Sequence, residues 1–194
     1  MTIVAAIAGG FKAPHAGHLK MIQHYAVMSD KVLLYIGSKS RPIANDYYSR
    51  EITAQQSKAV WETYLLDSNL SNKVQVQIFK GSPMKATFSV LESASPGQTI
   101  YLARGEQDNH RYPQHELDRY TPEGVLSFVK PCPTIINPNT GERYSGTLMR
   151  ETIRFNDLNS FTQYLPQSSQ HRSKELYRLL GGMDPTHLYG LSIG

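Results

Sequence analysis

Apolar residues in this chain fall in short runs, and the runs alternate with segments of helical spacing. Residues 3–8 are apolar throughout, which predicts a strand buried on both faces, and residues 19–28 follow with the spacing of a helix. Residues 31–37 predict a second strand that runs into a polar loop over 38–48. Over 53–66, Ala54, Val60, Trp61 and Leu65 share one helical face and are expected to point inward. Residues 73–79 alternate as a strand, 85–93 follow as a helix, and 99–103 and 125–129 predict a fourth and fifth strand. Strands separated by helical segments imply parallel βαβ units. The expected fold is therefore α/β, an open, mostly parallel, Rossmann-like doubly wound sheet. Residues 166–174 are polar and read as a connection to a short helix over 175–180, which Gly181 and Gly182 stop. The expected organisation is one domain over 1–165, with 166–194 a connection, a short helical extension and a tail.

Composition narrows the class without naming it. The chain has 194 residues, 40% hydrophobic and 19% charged, as in ordinary soluble domains. No apolar stretch approaches the roughly 18 residues of a membrane span, so no membrane partner is expected. The first apolar run has no charged segment before it and is better used as a strand than as a signal peptide. The single cysteine, Cys132, excludes an internal disulfide framework and a cysteine-based zinc site, and suits a cytoplasmic protein. The net charge is +4; residues 1–97 carry ten Lys and Arg against six Asp and Glu, whereas the remainder balances at ten each. An excess confined to the first half suits a small polyanionic substrate, though a solvated basic face explains it as well. Basic and aromatic residues do not cluster as nucleic-acid binding would require, so nucleic acid is not expected as a partner.

The candidate chemistry begins where the first strand ends. Gly9, Gly10, Phe11, Lys12, Ala13, Pro14, His15, Ala16, Gly17 and His18 join that strand to the first helix. Glycines let a polyphosphate approach the main chain, and free N–H groups at a helix start attract it. Two imidazoles three residues apart face the same side of a helix and can grip one phosphoryl group. Lys12, inside the loop, offers a mobile ammonium to a triphosphate. Far downstream, Ser145, Gly146, Thr147 and Arg150 precede or open a second helical run, giving hydroxyls and a forked cation at a helix start. His110, Arg111, His115 and Arg119 are expected to face solvent. No set of His, Asp and Glu has the spacing of a dedicated metal site.

These two segments resemble the nucleotidyltransferase superfamily with a His-x-Gly-His signature. Its members include the adenylyltransferases that make NAD, dephospho-coenzyme A and FAD, the cytidylyltransferases of phospholipid precursors, and ATP sulfurylase. The family pattern Gly-x-Phe-x-Pro-x-His-x-Gly-His is met by Gly9, Phe11, His15, Gly17 and His18; Ala13 stands at the family proline, with Pro14 one place later. The second family motif, Ile-Ser-Ser/Gly-Thr-x-x-Arg, is met by Ser145, Gly146, Thr147 and Arg150, with Tyr144 in place of the usual Ile.

The resemblance implies transfer of a nucleotidyl group, AMP from ATP before CMP from CTP, to a phosphate-bearing small molecule, with release of pyrophosphate. It implies His15, His18, Lys12 and Arg150 as the catalytic set. It implies that Arg104, Gly105 and Asp108 line the nucleotide pocket together with Gly9, Gly10, Phe11, Gly17, Ser145, Gly146 and Thr147. Lys39 and Arg41 then meet the acceptor phosphate or the triphosphate. Mg²⁺ is expected to enter with the nucleotide rather than to occupy a protein site. NMN is the first candidate acceptor, with phosphopantetheine, FMN and sugar or choline phosphates left open. A homo-oligomer is expected only by analogy. Two rivals stand beside this reading. One is a class I aminoacyl-tRNA synthetase, for whose anticodon-binding domain the chain is too short. The other is a non-catalytic nucleotide-binding module of the same fold.

Overall fold

A computed structural model describes residues 1–106, 108 and 110–183; the tail beyond lies outside the described residues. Five parallel strands form the central sheet: β1 (Ile3–Gly9), β2 (Lys31–Gly37), β5 (Val74–Phe79), β6 (Thr99–Gly105) and β7 (Leu126–Cys132), in the order β5-β2-β1-β6-β7. β1 is central, with Ala6 opposite Leu33 on one side and Leu102 on the other. Its unbroken apolar run is the consequence of burial on both faces.

Alternation along β1 separates two cores. Ala5 and Ile7 point into the larger one with α1 (Ala16–Met28) and α2 (Ala54–Asp67), whose Trp61, Val60 and Leu65 are buried as the helical spacing required. Val4 and Ala6 point into the other, against Leu91 of α3 (Pro83–Glu92) and Leu117 of α4 (Gln114–Tyr120). The sheet is thus covered on both faces.

The chain winds from β1 to β2 to β5, then returns past β1 to lay down β6 and β7 on its other side. This reversal leaves a crevice beyond the carboxyl ends of β1 and β6, where open α/β sheets take their ligands. The polar loop after β2 contains a small antiparallel hairpin, β3 (Arg41–Pro42) with β4 (Glu51–Ile52). After β7 come α5 (Gly146–Arg154), α6 (Leu158–Thr162) and α7 (Ser173–Leu179).

The polar segment read as a connection is itself wound. Residues Gln167–Arg172 form a 3₁₀ helix that runs directly into α7. Ser169 donates to Asp67 at 2.7 Å and Arg172 pairs with the same carboxylate at 3.3 Å, while Leu176, Tyr177 and Leu180 enter the larger core. Polarity hid these contacts because they are made with side chains about a hundred residues away.

Candidate active site

The two histidines are set by the start of α1. His15 is its N-cap, in extended backbone, and His18 is three residues on. The pair forms a reciprocal cap: the His18 N–H donates to His15 Nδ1 at 3.3 Å, and the His15 N–H donates to His18 Nδ1 at 3.4 Å. A backbone N–H can only donate, so both Nδ1 atoms are acceptors and each neutral ring carries its proton on Nε2. The rings lie parallel, with centroids 3.6 Å apart and planes at 13°.

The sequence led us to expect free main-chain N–H groups here, and the structure narrows that. The Ala16 N–H is taken by the Tyr164 carbonyl at 2.8 Å and that of His18 by His15. The imidazole edges add donors of their own. Burial drives both imidazoles to the neutral form: His15 sits well below the usual range, and His18 is pushed down to about 3. The Arg143 cation lowers both further.

The loop before the cap is strained where the family pattern is broken. Phe11 and Ala13 both adopt positive φ, at 44° and 65°. The Phe11 ring packs so tightly on Gly9 that a Cβ there would fall 2.7 Å from it, while Gly10 faces open space. The loop is held from below, where the Tyr64 hydroxyl donates to the Pro14 carbonyl at 3.0 Å.

A cavity of about 460 Å³ opens at the switch point. Of the residues the sequence proposed, it gathers His15, Gly17, His18, Gly105, Asp108, Ser145 and Gly146. Its wall also contains Met21, Glu106, Cys132, Arg143 and Tyr144, none of which the sequence placed in a site. Ser145 caps α5, accepting the Leu148 N–H at 3.3 Å. That bond leaves its own proton to donate.

A second, smaller cavity of about 310 Å³ holds Arg41, Thr147 and Arg150. Arg150 is buried and donates to Thr147 Oγ1 at 3.0 Å and to the Lys12 carbonyl at 3.2 Å. Burial and the nearby Arg41 cation lower the pKa values of Lys12 and Arg150, so three positive charges gather beneath the histidine loop.

Two expectations change on this geometry. Lys12 is not a mobile ammonium: it is buried and donates to the Gly37 carbonyl at 2.6 Å and the Gly10 carbonyl at 3.0 Å, tying the ends of β2 and β1 together. Arg111 does not face solvent but donates to the Ala8 carbonyl at the end of β1 and to Met84 Sδ at 2.9 Å. Arg104 donates to the Asp108 carbonyl at 3.5 Å, while the Asp108 carboxylate pairs with Arg111 at 3.8 Å. His110, His115 and Arg119 are exposed as expected, and exposed Lys39 lines neither cavity. Cys132 is buried and forms part of the cavity wall. Among the described residues no three His, Cys, Asp or Glu side chains converge as a metal site, and no helix is long and apolar enough to cross a membrane.

The class defined by this geometry is an α/β protein with the Rossmann-like fold of the adenylyltransferases and its crevice at the carboxyl ends of β1 and β6. Solved structures share that fold at low sequence identity. The bifunctional NMN adenylyltransferase/ADP ribose pyrophosphatase of Francisella tularensis superposes with a TM-score of 0.60 at 16% identity, over 92% of this chain and 52% of that one. The same Francisella protein complexed with AMP and a manganese ion gives 0.53 at 16% identity, over 93% and 52%. A Vibrio parahaemolyticus chain assigned as a nicotinate-nucleotide adenylyltransferase gives 0.52 at 19% identity, over 92% of this chain and 96% of that one. This chain thus spans about half the length of the Francisella protein. No family model matches the sequence, and no curated protein sequence is similar to it.

Proposed function

We propose that the protein transfers AMP from ATP to a phosphate-bearing small molecule, with NMN the first candidate acceptor, and releases pyrophosphate. The observation that carries this reading is the stacked pair of neutral imidazoles at the switch point, across a cavity from the capped start of α5. In the reaction an oxygen of the acceptor phosphate attacks the α-phosphorus. The bond from that phosphorus to the bridging oxygen breaks, and pyrophosphate leaves with the electron pair. The nucleophile is already anionic, so no base and no covalent intermediate are needed.

His15 and His18 donate through Nε2–H to oxygens of the α-phosphate, where negative charge builds in the transition state. Ser145, Gly146 and Thr147 at the head of α5, with Arg150 behind them, hold the departing phosphates. Arg41 serves these phosphates or that of the acceptor. Lys12 acts from beneath, through its charge and through the strand ends it ties. Gly105 and Asp108 bound the nucleoside side of the cavity. The triphosphate would enter as its Mg²⁺ complex, in which the cation would offset phosphate charge without a dedicated set of protein ligands.

The proposal takes ATP over CTP from the Ser-Gly-Thr form of the second motif, and pyridine mononucleotides from the fold's company. A cytoplasmic location belongs to the same proposal. The test is pyrophosphate release with Mg-ATP or Mg-CTP against NMN, nicotinate mononucleotide, phosphopantetheine, FMN and sugar or choline phosphates. Release that requires ATP together with a pyridine mononucleotide establishes the reading. Nucleotide binding without release from any pair overturns it in favour of a binding module.

A further inference from the structure

Tyr144, the residue that stands where the second motif usually has Ile, lies parallel to the His15 ring. Three rings make one stack: Tyr144 lies on His15 with centroids 5.5 Å apart and planes at 15°, and His15 lies on His18 at 3.6 Å and 13°. His18 then meets the edge of Phe11 at 5.1 Å, and Phe11 meets fully buried Trp61 at 5.8 Å. The stack reaches from the strap before α5, across the first turn of α1, into the core.

Tyr144 is fixed from two sides. A Cβ on Gly17 would lie 2.8 Å from the Tyr144 Cβ, so only glycine lets the ring come this close to α1. Its own N–H donates to the Ile135 carbonyl at 3.4 Å, next to the Ile136–Arg143 bridge that closes a hairpin. The next residue, Ser145, caps α5.

The reciprocal cap cannot hold the imidazoles alone. Its two bonds, 3.3 and 3.4 Å, lie at the long end of the hydrogen-bond range and leave each ring free to swing. His18 stacked on the His15 ring and Tyr144 parallel to it restrict that freedom. With Nδ1 occupied by the cap, the Nε2 edge is the part of His15 left to meet a ligand.

We propose that Tyr144 is a positioning residue for the imidazole pair: laid flat on His15, it keeps the Nε2 edges turned into the cavity and couples the start of α5 to that of α1. The proposal deepens the transferase reading and rests on it for its kinetic consequence. The charged and titratable groups facing His15 are His18 on α1, Arg143 and Tyr144 on the strap, and Arg150 on α5. Removing the tyrosine ring admits water and leaves the cations in place, so His15 regains rotation and moves towards an ordinary imidazole.

The experiment compares Tyr144→Phe with Tyr144→Ala, and with Tyr144→Leu, which keeps bulk but not a flat face. Nitrogen-15 NMR of the nucleotide-free protein reads tautomer and titration. Wild type and Tyr144→Phe should hold His15 neutral with its proton on Nε2 well below the ordinary imidazole range, whereas the Ala and Leu variants should show mixed tautomers and titrate closer to that range. Pyrophosphate release with Mg-ATP and NMN should fall about tenfold or more in kcat for those two variants, with KM for ATP within about twofold. The Phe variant should keep wild-type values. An unchanged His15 tautomer and titration in the Ala and Leu variants overturns the proposal, as does a Phe variant as impaired as Ala. Should wild type transfer no nucleotide, the transferase reading fails while the NMR comparison still decides the positioning role.

Discussion

At the scale of single residues, the proposed chemistry rests on two imidazoles whose Nδ1 atoms are spent on the helix cap and whose rings line a cavity. His18→Ala should lower kcat by about a hundredfold or more, as loss of a preorganised donor does, and leave nucleotide affinity nearly unchanged. Turnover at the wild-type rate would end the mechanism. The depressed imidazole pKa values also fix the sign of two pH effects. An arriving triphosphate raises them from their low free values, so binding near pH 6 should take up protons and tighten as pH falls. Calorimetry in buffers of different ionisation enthalpy reads that uptake directly. Stability moves the other way. The folded chain holds His18 neutral down to about 3 whereas the unfolded chain protonates near 6.5, so the unfolded state binds more protons between those values. The denaturation midpoint should therefore fall as pH drops from neutrality towards 4, and His18→Gln should flatten that slope.

At the scale of elements, the hairpin of β3 and β4 places Arg41 at the smaller cavity, and one buried side chain anchors it. Arg50 pairs with Asp46 at 2.6 Å and donates to the Arg154 carbonyl at 3.0 Å, Asn156 Oδ1 at 2.9 Å and the Gly181 carbonyl at 3.3 Å. It thereby ties the hairpin to the ends of α5 and α7. Arg50→Ala strands the Asp46 carboxylate, whose side chain is 1% exposed, and should cost about 3 kcal/mol in denaturant unfolding. In the folded variant, KM for the acceptor of the proposed transfer should rise more than kcat falls, because Arg41 loses its support while the histidines keep theirs. The approach of α1 to the strap before α5 is governed in the same way by Gly17. Gly17→Ala forces the Tyr144 backbone strap outward and should cost about 1–3 kcal/mol together with turnover.

At the scale of the molecule, the switch point assembles one site from segments that lie far apart in the chain. β1 delivers the histidines, β6 delivers Gly105 and Asp108, and α5 returns from beyond β7 with Ser145, Thr147 and Arg150. Arg41 repels both Lys12 and Arg150 there, a strain that a polyanion relieves. Inorganic tripolyphosphate should therefore stabilise the whole fold by mass action, about 2.7 kcal/mol at a hundred times its Kd. Thermal unfolding should show that rise in Tm for wild type and lose most of it for Arg150→Ala. An equal rise in both would mean that the anion binds elsewhere.

What was legible in the sequence is what is local. The continuous apolar run of β1 records burial on both faces, the 3.6-residue spacing of Val60, Trp61 and Leu65 records one buried helical side, and the order of strands and helices records a parallel sheet. The histidine pair and the Ser-Gly-Thr-x-x-Arg segment were readable for the same reason, each being a short pattern at one end of one helix. Tertiary structure decided whatever depends on a partner from another element. Lys12 is a tie because the Gly37 carbonyl stands beside it, and Arg111 is turned inward because β1 ends above it. Tyr144 lies parallel to His15 because Gly17 leaves room, and the polar stretch over 167–172 is wound because Asp67 waits on α2. These partners are 25 to 129 residues apart in the chain. A periodic pattern reports which face of an element is buried; only folding determines which side chain meets it there.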